Sequence, residues 1–77
     1  MALVPFAIPK FLNNGAEILA YKKRLRGVMI VLARWVRHDG AGQREEYVTW
    51  AVDDNGDAYW GHYFNNEDDA LVDWEKR

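Results

Sequence analysis

Seventy-seven residues with a net charge of −2 make one small domain, near the size at which a single core only just offsets chain entropy. There is no Cys, no Ser and a single Thr, Thr49, so disulfide staples, thiolate metal sites and Ser or Cys nucleophiles are excluded by inventory. The charge is lopsided: residues 1–44 hold eight Lys/Arg against Glu17 and Asp39, whereas residues 45–77 hold ten Asp/Glu against Lys76 and Arg77. Either the molecule has a basic side and an acidic side, or folding interleaves the halves and they neutralise across the sheet.

The N-terminal stretch MALVPFAIPKF carries a short apolar run, but it contains Pro5 and Pro9 and has neither a basic leader region nor a small-residue cleavage site, so it reads as part of the mature protein. The longest apolar run, residues 28–33, is far below the ~20 residues that cross a bilayer, and a soluble, cytoplasmic protein is expected. Asn14 and Glu17 have the spacing of a capping box. Ile18, Leu19 and Leu25 follow at helical spacing, with Lys22, Lys23, Arg24 and Arg26 in the last turn and Gly27 placed to end it. This pattern predicts a helix over 15–26; the rival reading takes Asn14-Gly15 as a hairpin turn between strands.

Residues 28–37 (VMIVLARWVR) are β-branched and apolar on both parities as far as Arg34, and are bounded by Gly27 and by HDGAGQ, the profile of a central strand covered on both faces. Residues 46–52 and 58–64 follow as two more strands, joined by DDNGD. A calcium loop with Gly56 at its sixth position would have Ala51 first and His62 twelfth, so two essential ligands are missing. Asn55-Gly56 instead suits the centre of a type I′ turn. That register sets Val52 against Tyr59, Trp50 against Gly61 and Val48 against Tyr63. One face then carries Val48, Trp50, Val52, Tyr59 and Tyr63, with Trp50 over the bare backbone of Gly61. The other carries Tyr47, Thr49, Ala51, Trp60, His62 and Phe64.

Asn66 is placed to cap a final helix with Glu67, Asp68 and Asp69 at its positive end, Lys76 and Arg77 at its negative end, and Ala70, Leu71 and Trp74 on one face. The predicted fold is α+β: an N-terminal helix, a three-stranded antiparallel β-meander with neighbours joined by hairpins, and a C-terminal helix packed on the sheet, all in one domain spanning 1–77.

Three surfaces are candidates for function. Tyr47, Trp60, His62 and Phe64 form an aromatic platform, unless the first helix or the N-terminal segment covers them. Asp53, Asp54, Asp57, Glu67, Asp68, Asp69, Asp73 and Glu75 could imitate nucleic-acid phosphates towards a basic partner, although turn and cap chemistry explains several of them singly. Lys22, Lys23, Arg24 and Arg26, with Arg34 and Arg37 near Tyr21 and Trp35, could bind phosphates, or else serve as helix-end cations and pair with Glu45 and Glu46. His38 and His62 lack metal-ligand spacing, and HDGAGQ fits no nucleotide fingerprint, so neither metal, cofactor nor enzyme is expected.

In size, single-domain build, lack of catalytic motifs and one-sided acidity, the chain resembles the small accessory inhibitors of phages and mobile elements, among them anti-CRISPR proteins. That resemblance implies a non-enzymatic inhibitor or adaptor that binds a host nucleoprotein complex and blocks its access to DNA, with Asp53, Asp54, Asp57, Glu67, Asp68, Asp69 and Asp73 as contacts. The alternatives are a nucleic-acid-binding module built on Lys22, Lys23, Arg24 and Arg26, and a homo-oligomer that pairs through its aromatic face.

Overall fold

The computed structural model describes residues 10–77, apart from the side chain of Leu25. The reading of residues 1–9 as a mature apolar run therefore lies outside the described residues. Strands β1 (Glu17–Lys23), β2 (Met29–Asp39), β3 (Gly42–Val52) and β4 (Ala58–Phe64) form one antiparallel sheet in the order β1-β2-β3-β4, and helix α1 (Glu67–Lys76) follows. Hairpin-joined neighbours and the C-terminal helix are as expected. No helix among the described residues is long and apolar enough to cross a membrane.

The helix expected over 15–26 is a strand instead, and the meander has four strands rather than three. Asn14 caps no helix: its side-chain oxygen accepts the N–H of Ala16, and the chain reverses at Asn13-Asn14-Gly15. Gly15, at φ +90°, donates to the Leu12 carbonyl while Leu12 donates to that of Ala16. Phe11 then bridges Glu17 at the edge of β1. A bulge between Ile18 and Ala20 takes Leu19 out of the two-residue alternation, which leaves the apolar spacing looking helical. Gly27, expected to end a helix, sits with Arg26 at positive φ in the β1–β2 turn.

The loop between β3 and β4 has the same construction as the first turn. Gly56 donates to the Asp53 carbonyl, Asp53 donates to that of Asp57, and Gly56 lies at φ +85°. Asp54, Asn55 and Gly56 thus make a three-residue loop ending in a left-handed glycine, in place of the two-residue type I′ turn. The extra residue shifts the pairing, so Val52 faces Ala58 and Ala51 faces Tyr59. A second irregularity at Trp60-Gly61, opposite Trp50, shifts it back, and Thr49 meets His62 and Val48 meets Tyr63 as expected. Tyr59 consequently changes face.

Each face of the sheet has its own cover. Val31, Ala33, Val48, Trp50 and Val52 pack with Leu12 and Ala16 from the first turn, and with Ile18, Trp35 and Ala58. Trp50 stands edge-on between Trp35 and Tyr63, with ring centroids at 5.2 and 6.1 Å. On the opposite face α1 lies over Ile30, Leu32, Thr49 and Ala51, all nearly inaccessible to solvent. Asn66 caps the helix by accepting the Asp69 N–H, as its position predicts. Trp74 Nε1 donates to the Ile30 carbonyl at 2.9 Å, while Leu71, expected on the packed face, is exposed.

The two central strands outrun their neighbours. β1 pairs with β2 only from Met29 to Arg34, and β4 pairs with β3 only from Tyr47 to Val52. Residues 35–46 pair with each other alone, down to Asp39 against Gly42, and form a two-stranded arm that projects by roughly 17 Å at ~3.4 Å per residue. HDGAGQ is therefore not a loop but the tip of this arm, with Gly40-Ala41 as the turn.

Candidate functional site

The acidic residues do not form one surface. Asp53, Asp54 and Asp57 sit in the turn that opens β4, and Glu67, Asp68 and Asp69 in the first helical turn beyond its far end. Strand β4 separates the two groups by roughly 23 Å, at ~3.3 Å per residue over its seven residues. The first group has local work: Asp53 Oδ1 accepts the backbone N–H groups of Asn55 and Asp57, and the Asp54 carboxylate lies against Gly27. It also faces cations, since Asp53, Asp54, Lys23 and Arg24 line one open groove of about 760 Å³ floored by Ile18, Met29 and Val52. In the second group Glu67, Asp68 and Asp69 are exposed, and none has an ion-pair partner among the described residues.

Asp73 belongs to neither group. Its Oδ2 accepts the Thr49 hydroxyl at 2.6 Å and contacts His62 Nδ1 at 2.9 Å, while Arg77 donates to both the carbonyl and the hydroxyl of Thr49 at 3.0 Å. Burial works to raise the Asp73 pKa. It is outweighed by the hydrogen bonds from Thr49 and His62 and by the charges of His62 and Arg77, so the carboxyl titrates below its ordinary value. The arrangement holds a Thr, a His and an Asp, yet the carboxylate stands between the other two and the Thr is wholly buried. This is a latch that fixes α1 to β3 and β4, with no nucleophile facing a base.

The basic set is also divided. Lys22 donates to the Glu75 carbonyl and lies 4.8 Å from the Trp74 ring, so it serves the helix end. Lys23, Arg24 and Arg26 are exposed around the β1–β2 turn. Arg34 pairs with Glu45 at 2.6 Å and Glu17 at 3.5 Å, and Arg37 pairs with Glu46, which is the cross-strand neutralisation the two charged halves allow. Among the described residues no group of three or more His, Asp or Glu is arranged to hold a metal ion.

The aromatic set fares differently from its reading as a platform. Thr49 and Ala51 of that face are buried under α1, Tyr47 and Phe64 are half-buried, and His62 joins the Asp73 latch. Trp60 alone escapes: it is 74% exposed, the most exposed large apolar side chain among the described residues. Its backbone lies at φ +56°, a left-handed conformation that disfavours a bulky L-residue by ~1–2 kcal/mol. Its ring meets the Tyr59 ring edge-on at 5.0 Å.

The next residue presents the opposite situation. A Cβ on Gly61 would stand 2.6 Å from Trp50 Nε1 and 3.0 Å from Tyr63 Cε1, so Gly61 is required by the ring packed over it. The predicted seat of Trp50 on Gly61 is therefore present. What the sequence conceals is that the bulge puts Trp60, rather than glycine, in the left-handed position. Trp60 and Tyr63 are both exposed on β4, a strand with no Lys, Arg, Asp, Glu or Pro, and α1 with its exposed first-turn acids follows that strand in the chain. No protein-family model, curated protein or solved structure matches this chain.

Proposed function

We propose that the chain is a non-enzymatic protein-binding domain, an inhibitor or adaptor, that docks along β4 and the start of α1 on a basic, nucleic-acid-handling partner. Trp60 carries the reading. A strained tryptophan with most of its surface in water gives the isolated fold little packing, whereas a protein interface gains most from a rigid aromatic anchor. Glu67, Asp68 and Asp69, in the first turn of the helix that follows β4, have no ion-pair partner among the described residues and supply the complementary charge. An occupant of this kind on a basic groove excludes the nucleic acid the groove would otherwise hold, the mode of action implied by the resemblance to anti-CRISPR proteins. Relative to the sequence expectation, the acidic contribution centres on the helix acids, because Asp53 and Asp54 share a groove with Lys23 and Arg24, and Asp73 is committed to the latch.

The test is a nuclease-treated pull-down from host lysate with wild type, Trp60→Gly, and the double variant Asp68→Lys, Asp69→Lys. The expected result is a nucleic-acid-handling protein recovered by wild type and lost by both variants. Equal recovery by all three, or recovery that disappears with nuclease, would remove β4 and α1 from the account.

A further inference from the structure

Within the arm of residues 35–46, Trp35 packs on Trp50 at the base while residues 38–45 are exposed, and a two-stranded ribbon on its own is marginal in water. Its chemistry is asymmetric. Every carboxylate on it is engaged: Glu45 by Arg34, Glu46 by Arg37, and Asp39 by the N–H of Ala41. Its donors are not, since His38, Gln43 and Arg44 are exposed and have no side-chain partner among the described residues.

Arg37 and Arg44 stand directly across from each other, which puts two guanidinium groups on one face of the ribbon. Like charges so placed repel, and an anion set between them turns the repulsion into attraction. Arg37 is already oriented: it lies 4.3 Å from the Trp35 ring, is gripped by Glu46, and keeps a buried Nε with no partner. Trp35 is anchored in turn by its Nε1 donating to the Asn14 carbonyl at 3.3 Å. The tip between the two arginines is slender, with Gly40, Ala41 and Gly42 in sequence.

The geometry points to a phosphate-binding arm: we infer that the β2–β3 ribbon enters the major groove of duplex nucleic acid and sets Arg37 and Arg44 on a backbone phosphate. A two-stranded ribbon fits a groove of about 12 Å. Small tip residues allow close approach, and phosphate supplies to Arg44 the counter-charge that Glu46 already gives Arg37. The inference goes beyond the protein-docking reading and uses different residues.

The test is fluorescence anisotropy of a short labelled duplex at low salt, repeated as salt is raised, with polyglutamate in place of the duplex as a control. Arg44→Gln, at an exposed position that leaves the fold intact, is expected to weaken binding about five- to tenfold and to flatten the log–log salt slope by about 1, whereas Arg44→Lys keeps most of the affinity. Absence of association at low salt would overturn the inference. So would equal binding of polyglutamate, or binding indifferent to Arg44→Gln and lost on replacing Lys23, Arg24 and Arg26 by Gln.

Discussion

His62 and Trp60 lie two residues apart on β4, and their surroundings differ in a way that separates folding from binding. His62 meets a carboxylate that also holds Thr49, next to the Arg77 contact, so its position is explained by interactions inside the chain. Trp60 occupies an unfavourable backbone conformation, leaves most of its side chain in water, and meets the Tyr59 ring edge-on. The first arrangement stabilises the molecule; the second costs it stability, and the proposed docking would offset that cost. Substitutions along β4 can break or sharpen this contrast.

The largest effect is expected at Gly61, where an added methyl group meets a buried tryptophan ring with nowhere to move. Gly61→Ala should lower stability by about 2–3 kcal/mol in a urea titration, as overpacking does. Removal of the latch comes next. Asp73→Ala leaves a buried Thr49 hydroxyl without its acceptor and His62 without its partner, a loss of about 2 kcal/mol by the same measurement.

The latch also sets a pH dependence. Because the Asp73 carboxyl titrates below its ordinary value in the folded protein, its contribution is fully present above the unfolded carboxylate pKa of about 3.9 and disappears as the pH falls through the lower folded value. The stability gap between wild type and Asp73→Asn should accordingly be open at neutral pH and narrow once the pH drops below about 4, as read from denaturation at each pH.

The two Asn-Gly turns explain how much of the fold was legible. L-N-N-G-A and D-D-N-G-D make the same backbone hydrogen bonds and place Gly15 and Gly56 at nearly the same φ, yet the first reads as a helix start, with a hairpin turn as its rival, and the second as a hairpin. Around the second, strong strands on both sides left no doubt. Around the first, Glu17 completed an apparent capping box, and the bulge at Leu19 erased the alternation by which β1 could have been recognised. Gly15→Ala, with open space around the missing methyl, tests backbone conformation alone and should destabilise by about 1 kcal/mol.

The surface features were legible to different depths. Cross-strand pairing of Arg34 and Arg37 with Glu45 and Glu46 was anticipated, since charges on facing strands have few other partners. The outer part of the arm was hidden because residues 38–45 are exposed and polar or small, with no apolar alternation to mark a strand. The identity of the cover over Thr49 and Ala51 was hidden because amphipathic α1 gives no sign of which face it will choose. Trp60 was noticed as one of a set, but its isolation depends on two register shifts that cancel, and no local pattern announces both.

The smallest effect is the most informative. Trp60→Gly relieves the left-handed strain at the expense of the Tyr59 contact, and should raise stability by about 0.5–1 kcal/mol, whereas Trp60→Ala loses the contact, keeps the strain and should lower it. Both variants should lose the partner. The decisive measurement is therefore denaturant stability and partner capture on the same preparation of Trp60→Gly. A more stable protein that no longer captures its partner is the predicted result; a less stable one, or one that captures the partner as wild type does, would contradict the assignment of Trp60 to binding.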